Sequence, residues 1–261
     1  MVCDADKSNC AIGKNEAYDD WVKRVCEFLV EIGPEINMSC GTFQSRPILE
    51  KNPDVVFLGF NPNESLGFNV KSIWPCRFYK GNPDFYERGD KWKVWRKIMD
   101  AFSWAEFETP ISDGHFVFFN AFYFGSKNIS ELKKISGMDT IIRKCFDFTE
   151  EVIMSIFKPK CIICFSITEL FNELNKLYGF KNVEEIHTAE QTDKYLLEFA
   201  LSKESSHWNH IYDCRYVLKK GVWDGIPIYG IPHPSARSMT NDDFGAIALY
   251  LRSEMHKNNI F

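Results

Sequence analysis

Hydrophobic positions along the chain follow two periodicities, and their alternation predicts the fold class. Four short runs are almost wholly apolar and rich in β-branched or aromatic residues: 54–59 (DVVFLG), 116–120 (FVFFN), 161–165 (CIICF) and 226–231 (IPIYGI). Runs of this length, ended by turn residues, predict strands buried on both faces. Between them apolar residues recur at helical spacing. Helices are expected over 18–32, ending at Gly33-Pro34; over 90–102; over 139–157, before Lys158-Pro159; over 168–178, ending at Gly179; and from Asn241 or Asp242 to His256. This alternation predicts an α/β fold, a three-layer α/β/α sandwich with a central, mainly parallel four-stranded sheet. The stretch 182–225 is less regular and reads as an inserted helix and hairpin, with a helix over 190–202 and a strand over 211–218 turning at Lys219-Lys220-Gly221. No repeat, low-complexity tract or linker divides the 261 residues, so one domain is expected.

Composition narrows the classes. A hydrophobic fraction of 45% is enough for a full core. The first ten residues are polar and acidic, and no run approaches the roughly 18 apolar residues of a membrane span, so a cytoplasmic protein without membrane contact is expected. Nine cysteines, an odd number in a chain large enough to fold without staples, predict reduced thiols. Cys161 and Cys164 form a CxxC, but on a strand they point to opposite faces and make poor common ligands; no histidine spacing suggests a metal, and no cofactor is expected. The net charge of −5 argues weakly against nucleic acid, yet residues 71–97 hold eight basic and three acidic side chains with seven aromatic ones interleaved. Such a mixture can hold a phosphate backbone and stack bases; it is also what a solvated helix face beside core aromatics looks like.

In an open parallel sheet the ligand crevice lies beyond the carboxyl ends of the strands. There the first strand enters Gly59-Phe60-Asn61-Pro62-Asn63-Glu64-Ser65, the second ends on Asn120, the third reaches Ser166, and the fourth enters Pro232-His233-Pro234-Ser235-Ala236-Arg237-Ser238. Taken singly, Asn-Pro is an ordinary turn signal and a lone histidine more often a satisfied core residue. Their order along the chain is more specific. In it the sequence resembles the uracil-DNA glycosylase superfamily, most of all its single-strand-selective monofunctional and mismatch-specific branches: GFNP is similar to their first motif, and HPSAR resembles the His-Pro-Ser-Pro-Arg loop.

The resemblance implies a monofunctional DNA glycosylase that hydrolyses the N-glycosidic bond of a flipped pyrimidine, in the service of base excision and DNA repair. It implies DNA as partner and action as a monomer. Asn61 falls where the family positions the hydrolytic water, and His233 where it hydrogen-bonds the departing base oxygen. Gly59, Phe60, Pro62, Asn63 and Asn120 fall on the base pocket, Asn120 reading the Watson-Crick edge. Trp74, with Phe78 and Tyr79 as alternatives, falls near the ring that stacks on the base. Ser65, Pro234, Ser235, Arg237 and Ser238 fall on the DNA-binding loops, Arg237 as the wedge that fills the gap left by the flipped nucleotide. Asn63 stands where relatives carry Gly, or a Tyr that screens out the thymine methyl. A polar wall there is compatible with uracil or with a modified pyrimidine, including a modified cytosine of foreign phage DNA. A catalytically silent nucleic-acid-binding module of the same fold, and a hydrolase of free nucleosides, are the rival readings.

Overall fold

The computed structural model describes residues 15–62, 67–69, 75–82, 85, 93–105, 114–126, 129–195, 198, 214–234, 236 and 239–260. In chain order its elements are helix α1 (Glu16–Ile36), strand β1 (Val55–Gly59), α2 (Pro75–Lys80), α3 (Lys93–Trp104), β2 (Phe116–Asn120), α4 (Ile129–Leu132), and α5 (Met138–Glu151) with a π-helical continuation (Val152–Phe157). Then come β3 (Cys161–Phe165), a π-helical turn (Ile167–Phe171) leading into α6 (Asn172–Tyr178), β4 (Lys181–Ile186), α7 (Thr188–Gln191), β5 (Leu218–Trp223), β6 (Ile226–Ile231) and α8 (Asn241–Lys257). Two compact units are formed, each from two stretches of chain: Met1–Tyr86 with Val117–Pro159, and Glu87–Phe116 with Lys160–Phe261.

In the first unit, α1 starts where the Asn15 side chain accepts the Tyr18 N–H at 3.0 Å. It passes the expected stop at Gly33-Pro34, because a proline in the last turn forfeits only one amide bond, and it closes where Asn37 N–H, in the left-handed position, donates to the Gly33 carbonyl. Tyr18, Trp21, Val22, Val25, Cys26 and Leu29, at helical spacing, form its buried face. The Trp21 indole donates to the Phe148 carbonyl at 2.9 Å, and its ring meets Phe43, Phe78 and Tyr123 edge-on. Edge-to-face geometry suits the ring quadrupoles and adds to the burial.

Residues 39–45 form an irregular ribbon, with antiparallel bridges from Cys40 to Phe124 and from Phe43 to Phe119. The sequence pattern does not reveal it, since polar residues occupy buried places: Thr42, Gln44 and Ser45 are each less than a tenth exposed. Each is satisfied. Thr42 Oγ1 donates to the Asn120 carbonyl, Ser45 Oγ accepts from Phe118 N–H, and the Gln44 side chain accepts from Asn82 Nδ2.

The second unit corrects the expected four-stranded, mainly parallel sheet. Here β3 pairs with β6 in parallel, but β6 pairs with β5, and β5 with β4, antiparallel. The protein is therefore α/β with mixed strand pairing. The hairpin turn lies at Asp224-Gly225, both at positive φ, as a two-residue hairpin connection demands. Lys219, Lys220 and Gly221, expected as the turn, are inside β5. Strand β4, KNVEEI, escaped notice because five of its six residues are exposed, which removes the apolar signal. The helix expected over 190–202 is seen as α7 and a few helical residues to 198, and the rest lies outside the described residues; of the strand expected over 211–218, residues 211–213 lie outside the described residues, 214–217 are not strand, and Leu218 opens β5.

Helix α8 closes this unit. Thr240 and Asp243 form a reciprocal capping box, and Phe244 stacks on Phe102 of α3 at 6.2 Å between ring centres. Lys97 of α3 donates to the Met239 carbonyl, and Arg252 to that of Ala105. Burial by itself would raise the Asp243 carboxyl, but hydrogen bonds from Thr240 and Arg215 outweigh it and hold the pKa below its ordinary value. Among the described residues no helix is long and apolar enough to cross a membrane. Cys26, Cys40, Cys145, Cys161, Cys164 and Cys214 are buried free thiols, and burial raises the Cys40 thiol to about 12.

Asp243→Ala is expected to lower stability by about 2 kcal/mol in urea unfolding, through loss of the cap and of the Arg215 pair. Asp242→Ala, one residue away with no bond in the box, is the control and is expected to change stability by under roughly 0.5 kcal/mol. Equal effects of the two would contradict this account.

Candidate functional site

In the first unit the sequence-predicted residues gather at the ends of β1 and β2. The Gly59 carbonyl accepts from Ala121 N–H at 2.8 Å and the Phe60 carbonyl from Phe122 N–H at 2.7 Å, so the chain after β1 is laced to the chain after β2. Pro62 O then accepts from Ser126 N–H. Into this ladder the Asn61 side chain is fixed by its amide nitrogen, which donates to Ser126 O at 2.8 Å and to Pro62 O at 3.1 Å. With both amide protons engaged, the oxygen Oδ1 is left as the acceptor. Among the described residues it takes no hydrogen bond. A half-buried, oriented carbonyl oxygen can hold a water molecule by one of its protons.

Asn120 lies directly over Gly59. A β-carbon at position 59 would overlap Asn120 Oδ1, so glycine here permits the close approach of two strand ends. Asn120 is 5% exposed, and its Nδ2 reaches the Thr42 carbonyl at a long 3.3 Å. It is thus oriented by a weak bond, which a better acceptor can replace.

Among the expected site residues, Phe78, Phe60 and Pro234 are buried. Phe78 is 4% exposed and packs edge-on against Trp21 and Phe43, so it belongs to the core and offers no stacking face. Phe60 is 5% exposed against Phe122 and Phe146, which leaves only its backbone to meet a ligand. Pro234 is buried within the turn that the Ala236 N–H closes on the His233 carbonyl. Tyr79, an alternative stacking ring, donates its hydroxyl to Asp19. Asn63, Ser65, Trp74, Ser235, Arg237 and Ser238 lie outside the described residues.

In the second unit, β3 and β6 run parallel with Phe165 opposite Ile231, so the residues after them are neighbours. Ser166 N–H donates to the Ile231 carbonyl at 2.9 Å. Ser166 adopts φ 122° and ψ 122°, a conformation that L residues seldom occupy, and is held there by a reciprocal pair: its hydroxyl donates to the Glu169 carboxylate, while Glu169 N–H donates back to Ser166 Oγ. His233 follows β6. Its carbonyl accepts from Ala236 N–H, closing a turn, and its ring meets Phe165 edge-on at 6.5 Å. More than a third of the residue is exposed, but the protein crowding the imidazole lowers its pKa below the ordinary value, against an opposing pull from the Glu169 carboxylate. At pH 7 this imidazole is neutral and carries one N–H to donate.

Sequence reasoning missed Ser126, whose contribution is a backbone carbonyl without side-chain signature. It also missed Glu169, although Ser-x-x-Glu at 166–169 is a capping-box pattern and was visible. Among the described residues no group of three or more His, Cys, Asp or Glu is placed to hold a metal ion. No family model matches the chain, and no curated protein matches its sequence.

Because the His233 pKa is lowered, the unfolded chain binds this proton more readily than the folded protein. Stability is therefore expected to fall as pH drops from roughly 7 through 6.5 toward the folded-state pKa, and to level off below it. Urea unfolding across this range checks it: His233→Gln is expected to flatten the loss, and an unchanged slope would contradict the assignment.

Proposed function

We propose that the protein is a monofunctional DNA glycosylase that hydrolyses the N-glycosidic bond of a uracil or modified pyrimidine extruded from DNA. The observation that carries this reading is the clamp on Asn61, whose nitrogen is bonded twice to backbone and whose oxygen is left to accept. Resemblance of the GFNP and HPSAR loops to the uracil-DNA glycosylase superfamily supports it. In this reading Asn61 Oδ1 orients a water toward the sugar C1′. As an amide it takes no proton, so it works by position. The bond from C1′ to the base nitrogen breaks, its electron pair leaves with the base, and the water oxygen becomes the new hydroxyl at C1′. The neutral His233 imidazole donates its N–H to the base oxygen on which negative charge develops. The proton released by the water passes to solvent, and the departing base regains one from solvent. Asn120 reads the edge of the base, and a nucleotide turned out of the helix is what allows these groups to reach it.

The test is incubation, with EDTA present, of single- and double-stranded oligonucleotides carrying uracil, mismatched thymine, or 5-hydroxymethyl or glycosylated cytosine, followed by alkali to cleave abasic sites. Cleavage of at least one substrate is expected. His233→Ala is expected to slow single-turnover excision about 10²-fold to 10³-fold, the range for loss of one preorganised donor. Asn61→Ala is expected to slow it at least about 10²-fold through loss of water orientation. Absence of abasic sites on every substrate, with DNA binding retained, would replace this reading with that of a silent DNA-binding module.

Gly59→Ala offers a check on the pocket. The added methyl displaces Asn120, so excision is expected to fall by at least the loss seen in Asn120→Ala, with destabilisation of about 1 to 3 kcal/mol from overpacking.

A further inference from the structure

Helix α2 sits beside the Asn61–Pro62 turn with two basic side chains that its anchoring leaves over. Its inward positions are fixed by two bonds to α1: the buried Tyr18 hydroxyl donates to the Phe78 carbonyl at 2.5 Å, and the Tyr79 hydroxyl donates to Asp19 at 2.6 Å. The Phe78 ring goes to the core. Arg77 and Lys80, three positions apart, share the remaining face, where β-carbons are about 5 to 6 Å apart. Lys80 is exposed and Arg77 half-buried. Among the described residues neither side chain makes a hydrogen bond or an ion pair, and Asp19, the nearby carboxylate, is occupied by Tyr79.

The position of Arg77 relative to the turn follows from Gly41. A β-carbon built on Gly41 would lie 3.5 Å from Arg77 Nη1 and 3.8 Å from Pro62 Cγ, so the guanidinium and the Asn61–Pro62 turn face the same glycine. The missing side chain leaves room between them. In a protein of net charge −5, a half-buried guanidinium without a carboxylate beside the candidate water-holding turn wants an anion. Its planar fork matches two phosphate oxygens, and Lys80 adds a point charge one helical turn farther along.

We propose that Arg77 and Lys80 bind successive phosphodiesters of the DNA strand, next to the nucleotide presented to Asn61. This rests on the glycosylase reading and names the residues that hold the backbone. The phosphate-binding half of the basic aromatic region 71–97 is thereby concentrated on two cations, while Phe78, Phe85 and Trp95, three of its four described rings, are buried.

The experiment measures binding of a fluorescein-labelled single-stranded 15-nucleotide oligomer containing one uracil, by anisotropy, between about 50 and 200 mM NaCl. Removing one cation from the phosphate backbone is expected to reduce the slope of log K against log salt by about 0.7. Arg77→Gln and Lys80→Gln are each expected to do so, and the double variant by about 1.4. Arg143→Gln, which removes a cation paired within its own helix to Asp147, is expected to leave the slope unchanged. Circular dichroism confirms that each variant folds. Excision is followed in the same samples. A reduced slope, with no base removed from this oligomer or from any of the substrates named above, upholds the phosphate-binding role of the two cations while overturning the glycosylase reading. Base removal with an unchanged slope in the double variant overturns that role alone. Wild-type protein that binds the oligomer with no salt dependence also overturns it.

Discussion

The bond from the Asn61 amide to the Ser126 carbonyl constrains everything that the first unit can do chemically. Asparagine after a strand is commonplace, and its side chain rotates freely unless something holds it. Here the nitrogen is committed to two backbone carbonyls, so the orientation of the oxygen is no longer free. The constraint propagates backward. Ser126 is in place because its own N–H is bonded to Pro62, and the preceding residues are laced to Gly59 and Phe60. That lacing brings the end of β2 against the end of β1, and the contact is tolerable only because residue 59 has no β-carbon to meet Asn120. The three parts of the motif, Gly, Asn and Pro, thus act together: one admits the neighbouring strand end, one presents the oxygen, and one supplies a carbonyl that both Asn61 and Ser126 use.

The aromatic content of the chain serves a different purpose from the one its sequence suggests. Fifteen per cent of residues are Phe, Trp or Tyr, and seven of these fall among the basic residues of 71–97. Interleaving of rings and cations is the composition of a single-strand-binding surface. In the structure three of the four described rings of that region pack inward, Phe78 on Trp21 and Phe43, Phe85 on Phe118, Trp95 on Phe116, while Tyr79 is half-buried. Burying such a ring is favourable by roughly 1.5 to 3 kcal/mol, well above the worth of an exposed one, and each has a neighbour in edge or stacked geometry. The cations cannot follow them inside without pairing. The same segregation that builds the core therefore leaves Arg77 and Lys80 at the surface of α2, so the interleaved pattern sorts into an apolar anchor and a charged face.

Legibility in the sequence followed burial. Strands β1, β2, β3 and β6 are visible because they are almost wholly apolar, helices α1 and α5 because their buried residues recur at helical spacing, and α6 and α8 by their ends, Gly179 and the polar start at Asn241-Asp242. Strand β4 was not, since an edge strand with Lys181, Glu184 and Glu185 in solvent carries no hydrophobic period. The hairpin turn was misplaced by five residues for a related reason: Lys219-Lys220-Gly221 resembles a polar turn, but Lys220 is taken up by Glu254 at 2.6 Å and Glu184 at 3.5 Å, and so sits within a strand. Asp224-Gly225 is the stronger turn signal. In the candidate site, the side chains were legible but their orientation was not. Nothing in the letters distinguishes an asparagine bonded through its nitrogen from one bonded through its oxygen, and no pattern marks a carbonyl such as that of Ser126.

The character of the two proposed reacting groups bears on the substrate. Asn61 is an amide at every pH of interest, and desolvation keeps the His233 imidazole neutral at pH 7. The amide takes no proton from water, and in the proposed reaction the imidazole faces the base oxygen rather than the water, so the hydrolysis draws on little nucleophilic activation. Its barrier then falls mainly as the base becomes a better anion, helped by one hydrogen bond from a neutral donor. A pyrimidine with an electron-withdrawing substituent leaves more readily than an unsubstituted one, and each factor of ten in leaving ability is worth about 1.4 kcal/mol in the barrier. A site built this way discriminates by reactivity as much as by fit. In the proposed reaction, unmodified cytosine, a poorer leaving group held by the same bond throughout normal DNA, would be spared by the same weak activation that would make excision slow. A carboxylate in place of Asn61 would give up part of that protection in exchange for rate.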